Sequence, residues 1–294
     1  MKKFLIGMLT AALAVVGLLS GCKDQQGEDN KVEQRELRVL DGDFKYEITR
    51  EEYTVAYDNI ELFGELYSPK ADGKFPAVIF SHGYNGHYTD FPNECKRFAQ
   101  RGYVCYAFDY CGAQANGRSK GRTGADYTPF TMKEDLRAVI ADIKMLPEVD
   151  ETQIFLFGGS QGGFVTALTA ADDEIKEQIA AVALYFPAFN IPDDWRNAPV
   201  QDTPLMGYSI GAAFISSIRD LDVYELIGNY EKDICIVWGD QDALVKKQYI
   251  DRAVETYDHA ELTVIHGAGH GFGGTALKTA TETVLAFLEA RTYE

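Results

Sequence analysis

The run Gln153-Ile154-Phe155-Leu156-Phe157-Gly158-Gly159-Ser160-Gln161-Gly162-Gly163 decides how the rest of this chain is read. Gln153–Phe157 is a short apolar stretch of the kind that forms a buried strand, and Gln161 to about Ala171 reads as a helix. Between them sits G-x-S-x-G, with strand before and helix after, the context that gives this motif its meaning. So tight a turn needs small neighbours, and Gly158, Gly162 and Gly163 supply them. Ser160 is thereby pushed clear of the backbone, with its hydroxyl at the helix N-terminus.

Outward from this turn, strands and helices alternate. Residues 53–68 alternate polar and apolar around Asp58-Asn59, a hairpin signal. Phe75–Ser81, Tyr103–Asp109, Ile179–Phe186, Asp233–Trp238 and Glu261–Ile265 read as further strands. Helices are expected over 91–101, stopped by Arg101-Gly102, and over 129–146, where Met132, Leu136, Val139, Ile140 and Ile143 recur at helical spacing before Pro147. Two more are expected over 246–257 and 275–291. Repeated strand–helix units predict an α/β fold, a mostly parallel sheet with helices on both faces.

One interval breaks the rhythm. Between Pro187 and Asp233 lie about 45 residues, where a crossover needs only about 10–12 beyond its strands. Residues 188–228 are expected to form a cap insertion over the strand ends, with Trp195, Tyr208 and Phe214 as substrate-binding walls.

A serine hydroxyl is a weak nucleophile and needs an adjacent base. His270, in the glycine-rich loop Gly267–Phe272 after the strand at 261–265, is placed to swing over a neighbouring strand end. His82, ending a strand in His82-Gly83, instead shapes a backbone turn. An imidazole base needs an acid to fix its tautomer. Asp242, in the Gly239–Val245 turn, is that acid, with Asp240 in reserve. Ser160, Asp242 and His270 then follow one another in the chain order of α/β-hydrolases. Developing negative charge on a carbonyl oxygen needs hydrogen-bond donors. The N–H of Gln161 is one, and the N–H of Tyr84, after the His82-Gly83 pair, is the second oxyanion-hole donor.

Acids outnumber bases by 45 to 28, a formal net charge of -17, which argues against nucleic acid and against electrostatic adhesion to anionic lipid. The five Cys form no Cys-x-x-Cys pair, and neither a metal nor an organic cofactor is implied. Cys105 and Cys235 fall inside strands as buried thiols, while Cys95 and Cys111 are a possible disulfide pair. Arg118, Lys120 and Arg122, in the loop after the strand at 103–109, either attract an anionic substrate group or form a solvated loop. Nothing here fixes an oligomeric state.

The N-terminus carries an address. Lys2 and Lys3 precede the apolar run Phe4–Leu19, too short to span a bilayer comfortably and typical of an export signal. It ends in Leu19-Ser20-Gly21-Cys22, which resembles the lipobox of bacterial lipoproteins. That resemblance implies cleavage after residue 21, lipidation at Cys22, and a protein exported and lipid-anchored at the cell membrane. Residues 22–36 then form a flexible tether, since Val32 is the only large apolar residue between Lys23 and Arg35. Residues 37–294 form the folded domain.

The His82-Gly83-Tyr84 loop, the Gly159–Gly163 elbow, the Gly239–Asp242 turn and the Gly269-His270 loop together resemble the α/β-hydrolase superfamily over about residues 50–291. Within it the chain looks most like bacterial cinnamoyl (feruloyl) esterases and their serine-aminopeptidase-type and monoacylglycerol-lipase-like relatives. Gly207–Glu225 is similar to the last part of the esterase cap. The resemblance implies hydrolysis of a small-molecule carboxylic ester through an acyl-serine intermediate. Two features depart from that group: Gly159 stands where His is frequent, and 188–206 shows no clear match. Gly-Gly-Ser also occurs in prolyl-oligopeptidase-type peptidases, so an aminopeptidase or dipeptidyl-peptidase reading stays open. In that case Asp193, Asp194 or Asp202 would receive a substrate α-amine. A catalytically silent lipoprotein that uses the cleft for binding is the third reading, disfavoured by an intact Ser160–Asp242–His270 set.

Overall fold

The computed structural model describes residues 44–292. The expected signal, lipidation site Cys22 and tether lie outside the described residues. The chain opens with a hairpin, β1 (Ile48–Tyr57) and β2 (Ile60–Pro69), closed by a two-residue turn that pairs Tyr57 with Ile60. Asp58 takes the left-handed φ of 48° that such a turn requires and that Asp tolerates better than most residues. The strands run longer than the alternation suggested. Arg50, Glu51 and Glu52 lie on the exposed edge strand, where polar residues hide a strand's periodicity, and Arg50 forks onto Glu65 across the pair.

There follow β3 (Phe75–Ser81), α1 (Pro92–Ala99), β4 (Val104–Phe108), α2 (Pro129–Ile143), β5 (Val149–Gly159), α3 (Gln161–Ala170) and β6 (Ile179–Tyr185). The cap comes next, as α4 (Ile191–Trp195), the short hairpin β7 (Thr203–Leu205) and β8 (Tyr208–Ile210), α5 (Ala212–Ile218) and α6 (Val223–Ile227). The chain closes with β9 (Ile234–Gly239), α7 (Lys247–Thr256), β10 (Ala260–Ile265) and α8 (Gly274–Glu289). The main sheet has eight strands in the order β1-β2-β4-β3-β5-β6-β9-β10. Only the pairings that involve β2 are antiparallel. The parallel strands inside the sheet are buried along most of their length, as a sheet covered on both faces demands, while the edge strand β10 is only partly buried.

Local chemistry explains the helix limits. Thr128 and Thr131 form a reciprocal capping box at the start of α2, with Pro129 at its first turn, and Met132, Leu136, Val139, Ile140 and Ile143 all face the core. Every residue of α3 is buried, so this helix lies against the sheet with no solvated face. β5 starts four residues before the apolar run does. Val149 already pairs with Phe75, while Asp150, Glu151 and Thr152 pass through solvent at an irregular point of the register.

Two sequence expectations change. Cys95, Cys105, Cys111 and Cys235 are all free and buried, so Cys95 and Cys111 are not bridged. The Cys111 thiol is instead engaged by Arg122, whose N–H lies 3.1 Å from it. The basic loop offers no free cations either. Arg118 pairs with Glu52 and stacks 3.3 Å over Phe63, Lys120 pairs with Glu61, and Arg122 sits on the fully buried carboxylate of Asp135. These bases hold the loop to the sheet and do not recruit an anion. Among the described residues no helix is long and apolar enough to cross a membrane.

One buried carboxyl stands apart. Glu94, in the first turn of α1, is 1% exposed and its Oε1 has no hydrogen-bond partner among the described residues. Burial pushes its pKa up to about 7, against one opposing backbone hydrogen bond. A carboxyl with a raised folded-state pKa stabilises fully below the unfolded value of 4.5, and that contribution is lost as pH climbs through about 7. At about 1.4 kcal/mol per unit the loss is about 3 kcal/mol. The neutral isostere Glu94→Gln is therefore expected to raise Tm by roughly 5 °C or more at pH 8 and to leave it unchanged near pH 4. Thermal melts of both proteins at the two pH values check this, and an equal shift at both would contradict it.

Candidate active site

Four loops meet at the carboxyl ends of the parallel strands, following β3, β5, β9 and β10. Ser160 sits between β5 and α3 at φ 54° and ψ −120°, a conformation that side chains other than glycine's rarely adopt. Three backbone hydrogen bonds hold it there. The Ser160 N–H donates to Tyr185 O, and the Ser160 carbonyl accepts from Phe164 and Ala188. The elbow glycines are set by close approach. A Cβ on Gly162 would collide with the carbonyl oxygens of Ser81 and His82 at the end of β3. A Cβ on Gly159 would lie 2.7 Å from the Phe91 ring. That second contact is the physical reason for the missing His at position 159: Phe91 occupies its space.

His270 Nε2 lies 2.9 Å from Ser160 Oγ, and His270 Nδ1 lies 2.9 Å from Asp242 Oδ2. The Asp242 carboxylate is fully buried, while the imidazole keeps 18% of its side-chain surface exposed. Asp242 Oδ1 is taken by the N–H groups of Leu244 and Val245, at 2.8 and 2.9 Å. That leaves Oδ2 for the imidazole. Phe186 packs against the imidazole at a centroid distance of 4.6 Å and is itself backed by Phe272. The acid and histidine loops are pinned together by the Gln241 N–H on Ala268 O, and no Cβ fits on Gly239 beside that carbonyl.

Asp240 is not an alternative acid. Its carboxylate accepts from the Gly267 N–H at 2.7 Å and lies 2.8 Å from His266. His266 and His270, four residues apart, thus each meet a different aspartate. The exposed Asp240–His266 pair braces the turn that leads into the histidine loop.

The Gln161 N–H is the first of α3 and so has no acceptor within the helix. Its side chain points away, with Nε2 on Met132 Sδ. The His82-Gly83-Tyr84 loop passes so close to the elbow that a Cβ on Gly83 would lie 3.3 Å from Ser160 Cβ. His82 holds this loop with its ring, Nδ1 on Gly83 O and Nε2 accepting the Tyr110 N–H. This is the turn-shaping place expected for it.

A cavity of about 330 Å³ opens over Ser160. Tyr84, Gln161 and His270 line its floor, and Trp195 and Phe214 line its cap side, as expected. Tyr208 does not. Its ring lies against Tyr127 and its hydroxyl donates to Gly112 O, which fixes the outer side of the cap hairpin. Its neighbours Leu205, Met206 and Ile210 take the wall instead. As an aromatic of the cap Tyr208 is expected in the wall, but its partners Gly112 and Tyr127, both distant in sequence, direct it elsewhere. Sequence reading also missed Asn190, a buried polar residue of the wall that follows β6 in an otherwise apolar run. Asn190 Nδ2 donates to Asp194 at the cavity rim, where partial desolvation draws the Asp194 carboxyl pKa upward. Asp193 pairs with Arg196, Asp202 accepts the Ala212 N–H, and neither lines this cavity.

The arrangement resembles known proteins at three levels. The sequence model of the family described as serine aminopeptidase, S33, matches residues 74–217, from β3 to α5. The quorum-quenching protein AidA of Acinetobacter baumannii is 27% identical over 52% of this chain and 49% of its own length. The chain spans about half, or less, of the length of the first curated relatives it matches. The structure of Est1E from Butyrivibrio proteoclasticus with ferulic acid bound superposes with a TM-score of 0.72 at 25% identity, covering 81% of this chain and 98% of that one. The α/β-hydrolase GrgF from Penicillium superposes with a TM-score of 0.71 at 21% identity over 83% and 99% of the two chains.

The two aspartates are separable by experiment. Asp242→Asn, which disturbs the hydrogen bond to His270 Nδ1, is expected to lower kcat by about 10⁴-fold. Asp240→Asn, which loosens only the brace, is expected to stay within about tenfold of the parent. Steady-state kinetics on both variants decide, and a larger loss in Asp240→Asn would reverse the assignment.

Proposed function

We propose that this chain, an α/β-hydrolase by fold, cleaves small carboxylic esters by way of an acyl-serine intermediate. The observation that carries the reading is the continuous relay from Ser160 Oγ through His270 to the buried Asp242, with both hydrogen bonds at 2.9 Å. Ser160 Oγ attacks the ester carbonyl as its proton passes to His270 Nε2. Asp242 keeps Nδ1 protonated and offsets the charge of the imidazolium. The carbonyl oxygen becomes an oxyanion facing the N–H groups of Gln161 and Tyr84, and the dipole of α3 points its positive end the same way. Collapse expels the alcohol, which takes the proton from His270. Water then repeats the sequence on the acyl-serine and releases the acid.

An apolar cavity of about 330 Å³ suits a small aryl or acyl group, and Trp195, Phe214 and Ile210 offer flat and branched apolar surface to it. Likeness to an esterase crystallised with ferulic acid supports a cinnamoyl or feruloyl type of acyl group. One observation favours the aminopeptidase or dipeptidyl-peptidase-like alternative: Asp194 stands at the cavity rim, where a carboxylate would meet a substrate ammonium. We further propose that the chain is exported and held at the membrane by lipid on Cys22.

On one preparation, p-nitrophenyl butyrate and methyl ferulate are expected to give a higher kcat/KM than an aminoacyl p-nitroanilide. Ser160→Ala should abolish turnover of whichever substrate wins, by about 10⁴-fold or more. A preference for the anilide sinks the ester reading and leaves the serine chemistry standing. Near-parental turnover in Ser160→Ala sinks both.

The anchor has its own test. Cys22→Ala is expected to leave the specific activity of the purified protein unchanged and to shift it out of the membrane fraction. Unchanged fractionation would refute lipidation.

A further inference from the structure

The loop after β3 carries more than the Tyr84 N–H. The Tyr84 hydroxyl donates to Leu205 O at 3.1 Å, and Asn85 Nδ2 donates to Met206 O at 3.2 Å. Two consecutive residues therefore hold the turn of the cap hairpin. Asn85 Oδ1 in the same place accepts the Ala115 N–H at 2.8 Å, so one carboxamide joins the oxyanion loop, the loop after β4 and the cap. The held turn is strained. Met206 has φ 41°, a left-handed value uncommon for a residue of its type, and Gly207 follows at φ 81°. Leu205 and Met206 line the cavity together with Tyr84 and Ser160. The hairpin is thus both the structure that Tyr84 grips and a wall of the space where substrate reacts.

We propose that the Tyr84 hydroxyl and the Asn85 carboxamide are positioning residues that latch the cap hairpin onto the oxyanion loop, so that seating of the hairpin and aiming of the Tyr84 N–H are one event. The proposal rests on the reading of that N–H as an oxyanion donor. Downstream, the loop is fixed by the Gly86 N–H on Gly83 O and by the Tyr88 N–H on the buried Asp109 carboxylate. At the elbow end, His82 fixes it through Gly83 and Tyr110. Tyr84 itself lies inside the turn closed by Gly83 and Gly86, and its hydroxyl on Leu205 O is the tie that holds this turn to the hairpin. The latch is built to be reversible. The Asn85–Met206 bond is exposed and Met206 is 62% exposed, so water can replace the protein partner there. The phenol remains a donor throughout the neutral range, because burial pushes its pKa up to about 12.

Tyr84→Phe keeps the ring and the backbone N–H and removes one latch bond. Tyr84→Phe/Asn85→Gly removes both, together with the Asn85 tie to Ala115, and glycine holds the positive φ at position 85 without strain. Hydrogen exchange of the amides in 203–210 is expected to quicken in the double variant while Tm stays near the parent's. On p-nitrophenyl butyrate kcat should fall about tenfold or more, with KM within about twofold, because a misplaced donor weakens the transition state and leaves ground-state binding alone. Affinity for phenylboronic acid, which forms a tetrahedral adduct on a reactive serine, should fall by a similar factor. Tyr84→Phe alone should show part of each effect. An unchanged kcat with a loosened hairpin, a loss confined to KM, or unchanged exchange in 203–210 would each overturn the latch. The parent and Ser160→Ala are assayed beside them. If Ser160→Ala keeps parental turnover, it is the site reading that fails, and the exchange data still decide whether the two bonds hold the hairpin.

Discussion

Ser160 at φ 54° is the constraint on which the rest of the molecule depends. A non-glycine residue held in this region costs on the order of 1–3 kcal/mol, and it persists only where the surroundings over-determine it. They do so here. β6 accepts the Ser160 N–H through Tyr185, α3 and the start of the cap donate to its carbonyl, and the end of β3 closes against Gly162 too tightly for any side chain. These same contacts bring the other loops into place. Because β3 must lie against the elbow, the Gly83–Tyr84 backbone passes Ser160 Cβ. Because the elbow leads at once into a fully buried helix, the Gln161 N–H is left without a helical acceptor and faces the same space. The local strain and the proposed oxyanion hole are two consequences of one packing arrangement.

Electrostatics then separates residues that look alike. The chain carries a net charge of -17, yet Asp242, Asp240 and Asp109, at strand ends, are each committed to a neighbouring loop. Asp242 gives one oxygen to two backbone N–H groups and the other to His270, which fixes the carboxylate plane and so the tilt of the imidazole. Asp240 gives its oxygens to Gly267 and His266. Asp109, also buried, accepts the Tyr88 and Arg118 N–H groups and lies 3.7 Å from His87, whose pKa it raises. Each acid at a strand end spends its lone pairs on fixing one loop. Only Asp242 has an oxygen left in line with the histidine that reaches Ser160.

What the sequence made legible follows from the range of the forces involved. The parallel strands and the packed helices announce themselves, because burial on both faces demands unbroken apolar runs or a strict helical stripe, as in β5 or α2. The Ser160–Asp242–His270 order and the glycines around it are equally local signals. The edge of β1 was harder to see, since its polar residues satisfy solvent and conceal the strand. Arg118, Lys120 and Arg122 looked like a cationic patch because their partners, Glu52, Glu61 and Asp135, are distant in sequence. Tyr208 was misplaced for a related reason. Its direction depends on the path of an eight-residue hairpin and on a hydrogen bond to Gly112, neither of which leaves a periodic trace.

The two halves of the site are held by different physics. On the sheet side β3, β5, β6, β9 and α3 are buried along most of their length, and an aromatic series from Phe157 through Tyr185, Phe272 and Phe186 backs the imidazole at centroid distances of 4.6–5.1 Å. Such close packing is what the proposed relay, sensitive to tenths of an ångström, requires. On the cap side the elements are short, the wall is apolar, and the contacts with the oxyanion loop are single, partly exposed hydrogen bonds. Apolar walls discriminate weakly by size, about 1–3 kcal/mol per methylene, and a wall that can shift discriminates less still. A polar spot in that wall has the opposite effect, since a buried group left unpaired by the wrong substrate costs more than a lost methylene contact. Asn190 does not supply such a spot through its Oδ1, which is closed off and unpartnered among the described residues, and its amide is already on Asp194.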